Sequence, residues 1–220
     1  MEIRTMIKLV AFDLDGTIGN TIPLCMHAFR MAVEPYIDYK LTDAEISKYF
    51  GLDEEGMIRQ IVTDNNWEMA SKDFYTIYQE MHGLCPRPFE GMPRLIKDLK
   101  EKSIPVALVT GKGKRSCDIT LKYFFMERYF DSIETGSSQK NRKSEAMKKL
   151  LVDYGLEPDE MVYIGDAVSD ITECNKAGIK CLSAAWAESA DKEELTKQND
   201  GNVFLSISSI KDELFALISD

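Results

Sequence analysis

Four aspartates, a threonine and a lysine carry most of the chemistry this chain offers. Asp13 and Asp15 stand two apart in Asp13-Leu14-Asp15-Gly16-Thr17, and Asp166 and Asp170 stand four apart in Gly165-Asp166-Ala167-Val168-Ser169-Asp170. Taken alone, a D-x-D before glycine is explained as well by a turn closed with an Asx bond. An EF-hand loop is excluded, because its remaining ligand positions and closing Glu are missing. Carboxylates gathered at one site repel one another, so their joint ionisation needs a counter-cation. Oxygen donors without His or Cys favour Mg²⁺, which takes one or two carboxylates plus substrate phosphate and keeps several waters. Thr110 and the amide of Gly111 can meet an anionic oxygen, and Lys143 adds positive charge. The combination describes a phosphate site assembled on Mg²⁺.

Such residues have to be delivered by elements that end at the same place. Ile7-Lys8-Leu9-Val10-Ala11-Phe12 is apolar and partly β-branched and runs directly into Asp13, as a buried strand ending in a polar turn would. Ile104 to Val109 runs likewise into Thr110-Gly111, and Met161 to Ile164 into Gly165-Asp166. Leu95, Ile96 and Leu99 precede the second strand, and Ala146, Met147, Leu150, Leu151 and Tyr154 the third, each set on one helix face. Alternating strands and amphipathic helices predict an α/β fold with a Rossmann-like parallel sheet. Ligands in such sheets bind beyond the strand C-termini, where the three polar turns meet.

The stretch between the first strand and the Leu95 helix exceeds the roughly 30 residues of a βαβ unit. Helical periodicity near residues 22–34, 42–50, 53–64 and 70–81 predicts an inserted α-helical domain, with Thr42 and Glu45 as a capping box. The return, Cys85-Pro86-Arg87-Pro88-Phe89-Glu90-Gly91-Met92-Pro93, reads as a linker or hinge. The expected division is a core of residues 1–18 and 86–220 around a helical cap of residues 19–85.

Composition sets the remaining bounds. The 220 residues hold 27 Lys and Arg against 37 Asp and Glu, for a net charge of −10, which argues against a general nucleic-acid binder. A hydrophobic content of 44% argues against disorder. Five cysteines without a C-x-x-C pair suggest reduced, mostly buried thiols and no zinc site. The charged first residues and the lack of a spanning apolar run predict a cytoplasmic protein with no membrane association, as a monomer or homodimer.

The order of these motifs resembles the haloacid dehalogenase (HAD) superfamily of hydrolases. Asp13 to Thr17 looks like its first motif, Thr110 its second, Lys143 its third and Gly165 to Asp170 its fourth, and the insertion resembles its type 1 cap. Gly136-Ser137-Ser138, with Lys-Glu opening the next helix, is similar to the phosphoglycolate phosphatase-like branch. The resemblance implies a phosphatase in which Asp13 is the nucleophile and Asp15 the general acid and base. It implies Mg²⁺ on Asp13, the Asp15 carbonyl and Asp166, with Asp170 as a further ligand or support, and phosphoryl oxygens on Thr110, Gly111 and Lys143. Gly16, Thr17 and Gly165 would support the loops. The second Asp favours phosphate esters over carbon–halogen bonds. The third motif departs from the Lys-Pro pattern of many members, and Lys143 is preferred to Lys140 for that role. The implied substrate is a small phosphorylated metabolite resembling phosphoglycolate, a nucleotide or a sugar phosphate.

Two other functions fit parts of the pattern. A phosphoglucomutase-like transferase would share the first half-reaction, and a phosphoacceptor signalling module would share the acidic strand ends but lack the cap. Gly111-Lys112-Gly113-Lys114-Arg115-Ser116 matches no complete nucleotide-loop motif and reads as a solvated basic helix start. Tyr123-Phe124-Phe125 and Tyr129-Phe130 read as core and loop packing, His27 as a surface or packing residue rather than one facing substrate, and Arg59 as part of a solvated face rather than a contact to a substrate carboxylate or phosphate. The Tyr49 to Asp53 loop is the expected seat of specificity.

Overall fold

A computed structural model describes residues 6–63 and 65–218. The chain opens with β1 (Leu9–Phe12), then α1 (Ile22–Val33), α2 (Asp43–Ser47), α3 (Glu54–Ile61) and α4 (Trp67–Glu80). It continues through α5 (Met92–Glu101), β2 (Val106–Val109), α6 (Lys114–Tyr123), β3 (Ser132–Glu134) and α7 (Lys143–Tyr154). The last part is β4 (Met161–Gly165), α8 (Val168–Ala177), β5 (Lys180–Ala184), α9 (Lys192–Gln198), β6 (Val203–Phe204) and α10 (Ile207–Ile218).

The six strands form one parallel sheet in the order β3-β2-β1-β4-β5-β6. Both faces of its centre are buried, so its strands are apolar throughout rather than alternating with polar residues. Val10 and Phe12 pack with Val106, Leu108, Val162 and Ile164 on one face. Leu9 and Ala11 pack with Ala107, Val109, Met161 and Tyr163 on the other. Helices α5 and α10 cover the first face, and α7, α8 and α9 the second. Truncating the fully buried Phe12 to Ala would cost about 3–5 kcal/mol. β1 pairs with β2 on one side and β4 on the other, so the connections leave it in opposite directions and a crevice opens beyond its C-terminal end.

The strands expected from hydrophobicity are present with trimmed edges. β2 starts at Val106 because Pro105 has no N–H to give; its carbonyl still accepts from Val10 N, at 3.2 Å. β3, β5 and β6 are additional, and β3 and β6 are too short and too exposed for an apolar pattern to mark them. Between β1 and α5 the described regular structure is helical, with α1 and α3 packed on α4. α1 buries Leu24, Ala28, Phe29, Ala32 and Val33, a single face at helical spacing. Thr42 opens α2 as expected: its Oγ1 accepts from Glu45 N, and its own N–H donates 2.8 Å to Glu45 Oε2. α2 then ends at Ser47, short of the expected helix to residue 50, and the following turn carries Gly51 at φ +107°. All five cysteines are free; four are buried and Cys25 is half-buried. Among the described residues no helix is long and apolar enough to cross a membrane.

Candidate active site

Asp13 leaves the end of β1 with its amide still in the sheet, donating 2.8 Å to Ile164 O. Its Oδ1 accepts from Leu14 N at 2.7 Å, and its Oδ2 accepts from Lys143 Nζ at 2.6 Å. Burial pushes this carboxyl up to about 6 in spite of Lys143. Lys143 is the first residue of α7, whose buried face runs on through Ala146, Met147, Leu150 and Leu151. That face anchors the helix on the sheet and turns the lysine inward. Burial opposes the charge on Lys143, but Asp13 and Asp170 outweigh it and hold the ammonium well above its usual range. Lys140 lies at the surface, paired with Glu145.

Asp170 is fully buried in the first turn of α8 and accepts from three donors: Lys143 Nζ at 2.6 Å, Tyr163 OH at 3.2 Å and Ala167 N at 3.0 Å. Asp166, just beyond β4, accepts from Thr17 Oγ1 at 3.2 Å. Burial, together with the negative charges of Asp13 and Asp170, holds Asp166 well above the usual carboxylate range. Carboxylate oxygens of Asp13, Asp166 and Asp170 all lie within 4.8 Å of one another. This all-oxygen group is short of positive charge, and that is the condition a hard divalent cation satisfies.

Two glycines make room for this geometry. Gly16 adopts φ +75°, and a Cβ there would run into the Asp166 carboxylate. A Cβ on Gly165 would run into Asp170 and the Tyr163 ring. The same first loop is held from behind by Trp186, whose indole N–H donates 3.1 Å to Thr17 O.

Thr110 follows β2 and is buried, and its Oγ1 accepts from Lys112 N at 3.2 Å. Asp15 reaches the same cavity, where Thr21 Oγ1 donates to its Oδ1. The structure corrects the reading of residues 111–116 as a solvated basic start. Lys114 and Arg115 are exposed, but the Lys112 side chain is 1% exposed. Its Nζ stands 3.4 Å from Asp15 Oδ2, 3.3 Å from Glu54 Oε1 and 3.1 Å from Cys25 Sγ, and lies 4.4 Å from the Tyr78 ring centroid. These neighbours, Asp15 foremost, overcome the burial that opposes its charge and hold Lys112 well above its usual range. Burial, with Asp15 beside it, pushes the Cys25 thiol up to about 12.

Glu54, in the first turn of α3, also accepts from Gly113 N at 2.9 Å and Ser116 Oγ at 2.5 Å. The helical insertion is thus tied to the loop after β2 directly over the site. Lys112 had a sequence signal in its position just beyond a strand end. Glu54 had none, since its partners lie about sixty positions away.

A cavity of about 140 Å³ joins Asp13, Asp15, Thr110, Gly111, Lys143 and Asp166. Its far wall is apolar and comes from α1, α3, α4 and the turn at Phe50 to Leu52. The expected specificity loop therefore lines the site. His27 and Arg59 are exposed, with Arg59 stacked 3.7 Å from the Trp67 ring centroid. Of the aromatic cluster, Phe124 is buried and Phe125 is 85% exposed.

Pyrophosphatase PpaX of Bacillus pumilus is 28% identical to the chain over 189 residues, covering 84% of this chain and 86% of that protein. A solved structure described as a predicted phosphoglycolate phosphatase from Haemophilus somnus superposes with a TM-score of 0.78 at 18% identity, covering 95% of this chain and 98% of that one. CbbY from Rhodobacter sphaeroides in complex with phosphate superposes with a TM-score of 0.75 at 16% identity, covering 93% and 96%. The family model for haloacid dehalogenase-like hydrolases matches residues 10–184, from within β1 to the end of β5. That span contains the strand ends that carry Asp13, Thr110 and Asp166, and the chain belongs to the haloacid dehalogenase-like hydrolases.

Proposed function

We propose that the enzyme hydrolyses phosphomonoesters of a small metabolite through an aspartyl-phosphate on Asp13. The observation that carries this reading is the convergence of Asp13, Asp15, Thr110 and Lys143 on one cavity. Oxyanions of a bound phosphoryl group are received by the Thr110 hydroxyl, the Gly111 amide and the Lys143 ammonium. Asp13 attacks phosphorus as the ester P–O bond breaks, and Asp15 gives its proton to the departing alkoxide. Asp15, now ionised, takes a proton from the water that attacks the aspartyl-phosphate, which regenerates Asp13 and releases inorganic phosphate. Thr21 keeps Asp15 aimed at that proton path.

Asp13, the Asp15 carbonyl and Asp166 would hold Mg²⁺, and the charge deficit of the carboxylate group supports the fit. The three donors already on Asp170 support a bracing role for it beside those ligands. When bound, the ion supplies positive charge that screens the nucleophile from the phosphate. Gly16 and Gly165 keep the carboxylates close, and Thr17 orients Asp166.

The test is phosphate release from a panel of phosphomonoesters with Mg²⁺. Asp13→Asn removes turnover by about three orders of magnitude or more, and chelation does so reversibly. Full activity in either case overturns the reading, and phosphoryl transfer to a sugar without phosphate release would make the enzyme a mutase.

A further inference from the structure

The cavity is also lined by Ile22, Met26 and Phe29 of α1, Phe50 and Leu52 of the turn, and Met57 of α3, and Asp15 lies against α1, where Cys25 Sγ stands 3.7 Å from its Oδ1. Among the described residues lining the cavity, the cations are Lys112 and Lys143. Lys143 is committed to the phosphoryl end by its 2.6 Å contact with Asp13. Lys112 is committed to Asp15 and Glu54. Drawing it toward a second anion would leave Glu54, whose side chain is 9% exposed, short of its cation. Arg30, on the same helix as the apolar wall, pairs with Asp43 and donates to Leu41 O, and Arg115 stacks on Tyr75.

We infer that the leaving group of the substrate is a compact, uncharged alcohol with apolar character, and that esters carrying a second anionic group are poor substrates. This rests on the phosphomonoesterase reading and narrows it. A carboxylate or second phosphate placed against this wall would lose its hydration, find no uncommitted cation and sit near the Glu54 carboxylate. An alkyl group placed there gains the burial of its methylenes. The pocket therefore differs in chemistry from one built for pyrophosphate or phosphoglycolate, even though proteins so named share the family.

Steady-state kcat/KM with Mg²⁺ for propyl phosphate, phosphoglycolate, inorganic pyrophosphate and p-nitrophenyl phosphate provides the test. Calorimetric binding of propylphosphonate and phosphonoacetate to the full-length Asp13→Asn protein adds a readout that needs no turnover. Propyl phosphate is expected to exceed phosphoglycolate and pyrophosphate by about tenfold or more in kcat/KM, and propylphosphonate to bind more tightly than phosphonoacetate. Leu52→Arg, which puts a cation on the apolar wall, should shift the ratio toward phosphoglycolate. Equal or better turnover of phosphoglycolate or pyrophosphate by the natural chain overturns the inference and leaves the hydrolase reading intact. No turnover of any of the four overturns the reading itself, and the inference with it.

Discussion

The Lys112 ammonium stands 3.3 Å from the Glu54 carboxylate, joining the loop after β2 to the first turn of α3 at the lining of the candidate cavity. Both side chains are buried, so the pair works where solvent screens it little. Replacing Glu54 by Ala would leave Lys112 with Asp15 as its one carboxylate partner and strip Gly113 N of its side-chain acceptor, while Ser116 Oγ keeps only its 3.0 Å bond to Gly113 O. The expected loss is about 3 kcal/mol in urea unfolding. Glu54→Gln, which retains an acceptor, should recover part of it. Stability unchanged in Glu54→Ala would show that the pair holds nothing together.

Lys143 and Lys140 stand three residues apart but occupy different surroundings. Lys143→Ala should lower kcat by about a hundredfold or more, since it removes the proposed phosphoryl donor and leaves Asp13 and Asp170 without the ammonium between them. Lys140→Ala removes an exposed pair with Glu145 and should leave turnover within about twofold. Loss of turnover in Lys140→Ala alone would reverse the assignment.

Gly16→Ala should cost about 1–2 kcal/mol from the left-handed backbone alone, before the methyl displaces Asp166. Activity should fall further than that penalty explains, because the displaced carboxylate belongs to the proposed Mg²⁺ site. Comparing the apparent Mg²⁺ affinity with the thermal midpoint separates the effects. A variant that loses stability but binds Mg²⁺ normally would count against Asp166 as a ligand.

His82 gives the fold an acid-sensitive point that does not line the cavity. Burial holds its pKa below the ordinary 6.5, and its Nε2 meets Thr120 Oγ1 at 3.1 Å. Between the folded and unfolded pKa values the unfolded chain binds more protons, so this contribution rises with pH through that window. It is complete above about 6.5 and is lost as the pH falls below it. Urea midpoints followed from pH 7.5 to 5.5 should show the decline, and His82→Phe should flatten it. An unchanged slope in the variant would assign the acid sensitivity elsewhere.

Local patterns in the sequence carry the features made by neighbours along the chain. The apolar runs mark β1, β2 and β4, Thr42 and Glu45 mark the start of α2, and the acidic strand ends mark the crevice. What they do not carry is pairing across long separations. Lys112 looks like one member of a solvated basic run until α3 is folded over it, and nothing near Glu54 announces Gly113 or Ser116. β3 and β6 owe their place to a neighbouring strand that supplies hydrogen bonds rather than to hydrophobicity of their own. The apolar wall is composite in the same way, because Met26, Leu52 and Met57 come from three separate segments.

The chain has two tryptophans, Trp67 beneath Arg59 in the helical layer and Trp186 bonded to the carbonyl of Thr17. Thr17 in turn donates to Asp166, so the indole of Trp186 is two hydrogen bonds from a carboxylate of the proposed Mg²⁺ site. The protein thus contains its own optical probe of the loop after β1. With Trp67 replaced by Phe, the remaining emission would come from the immediate surroundings of that loop alone, which allows ligand arrival to be followed in real time without a label.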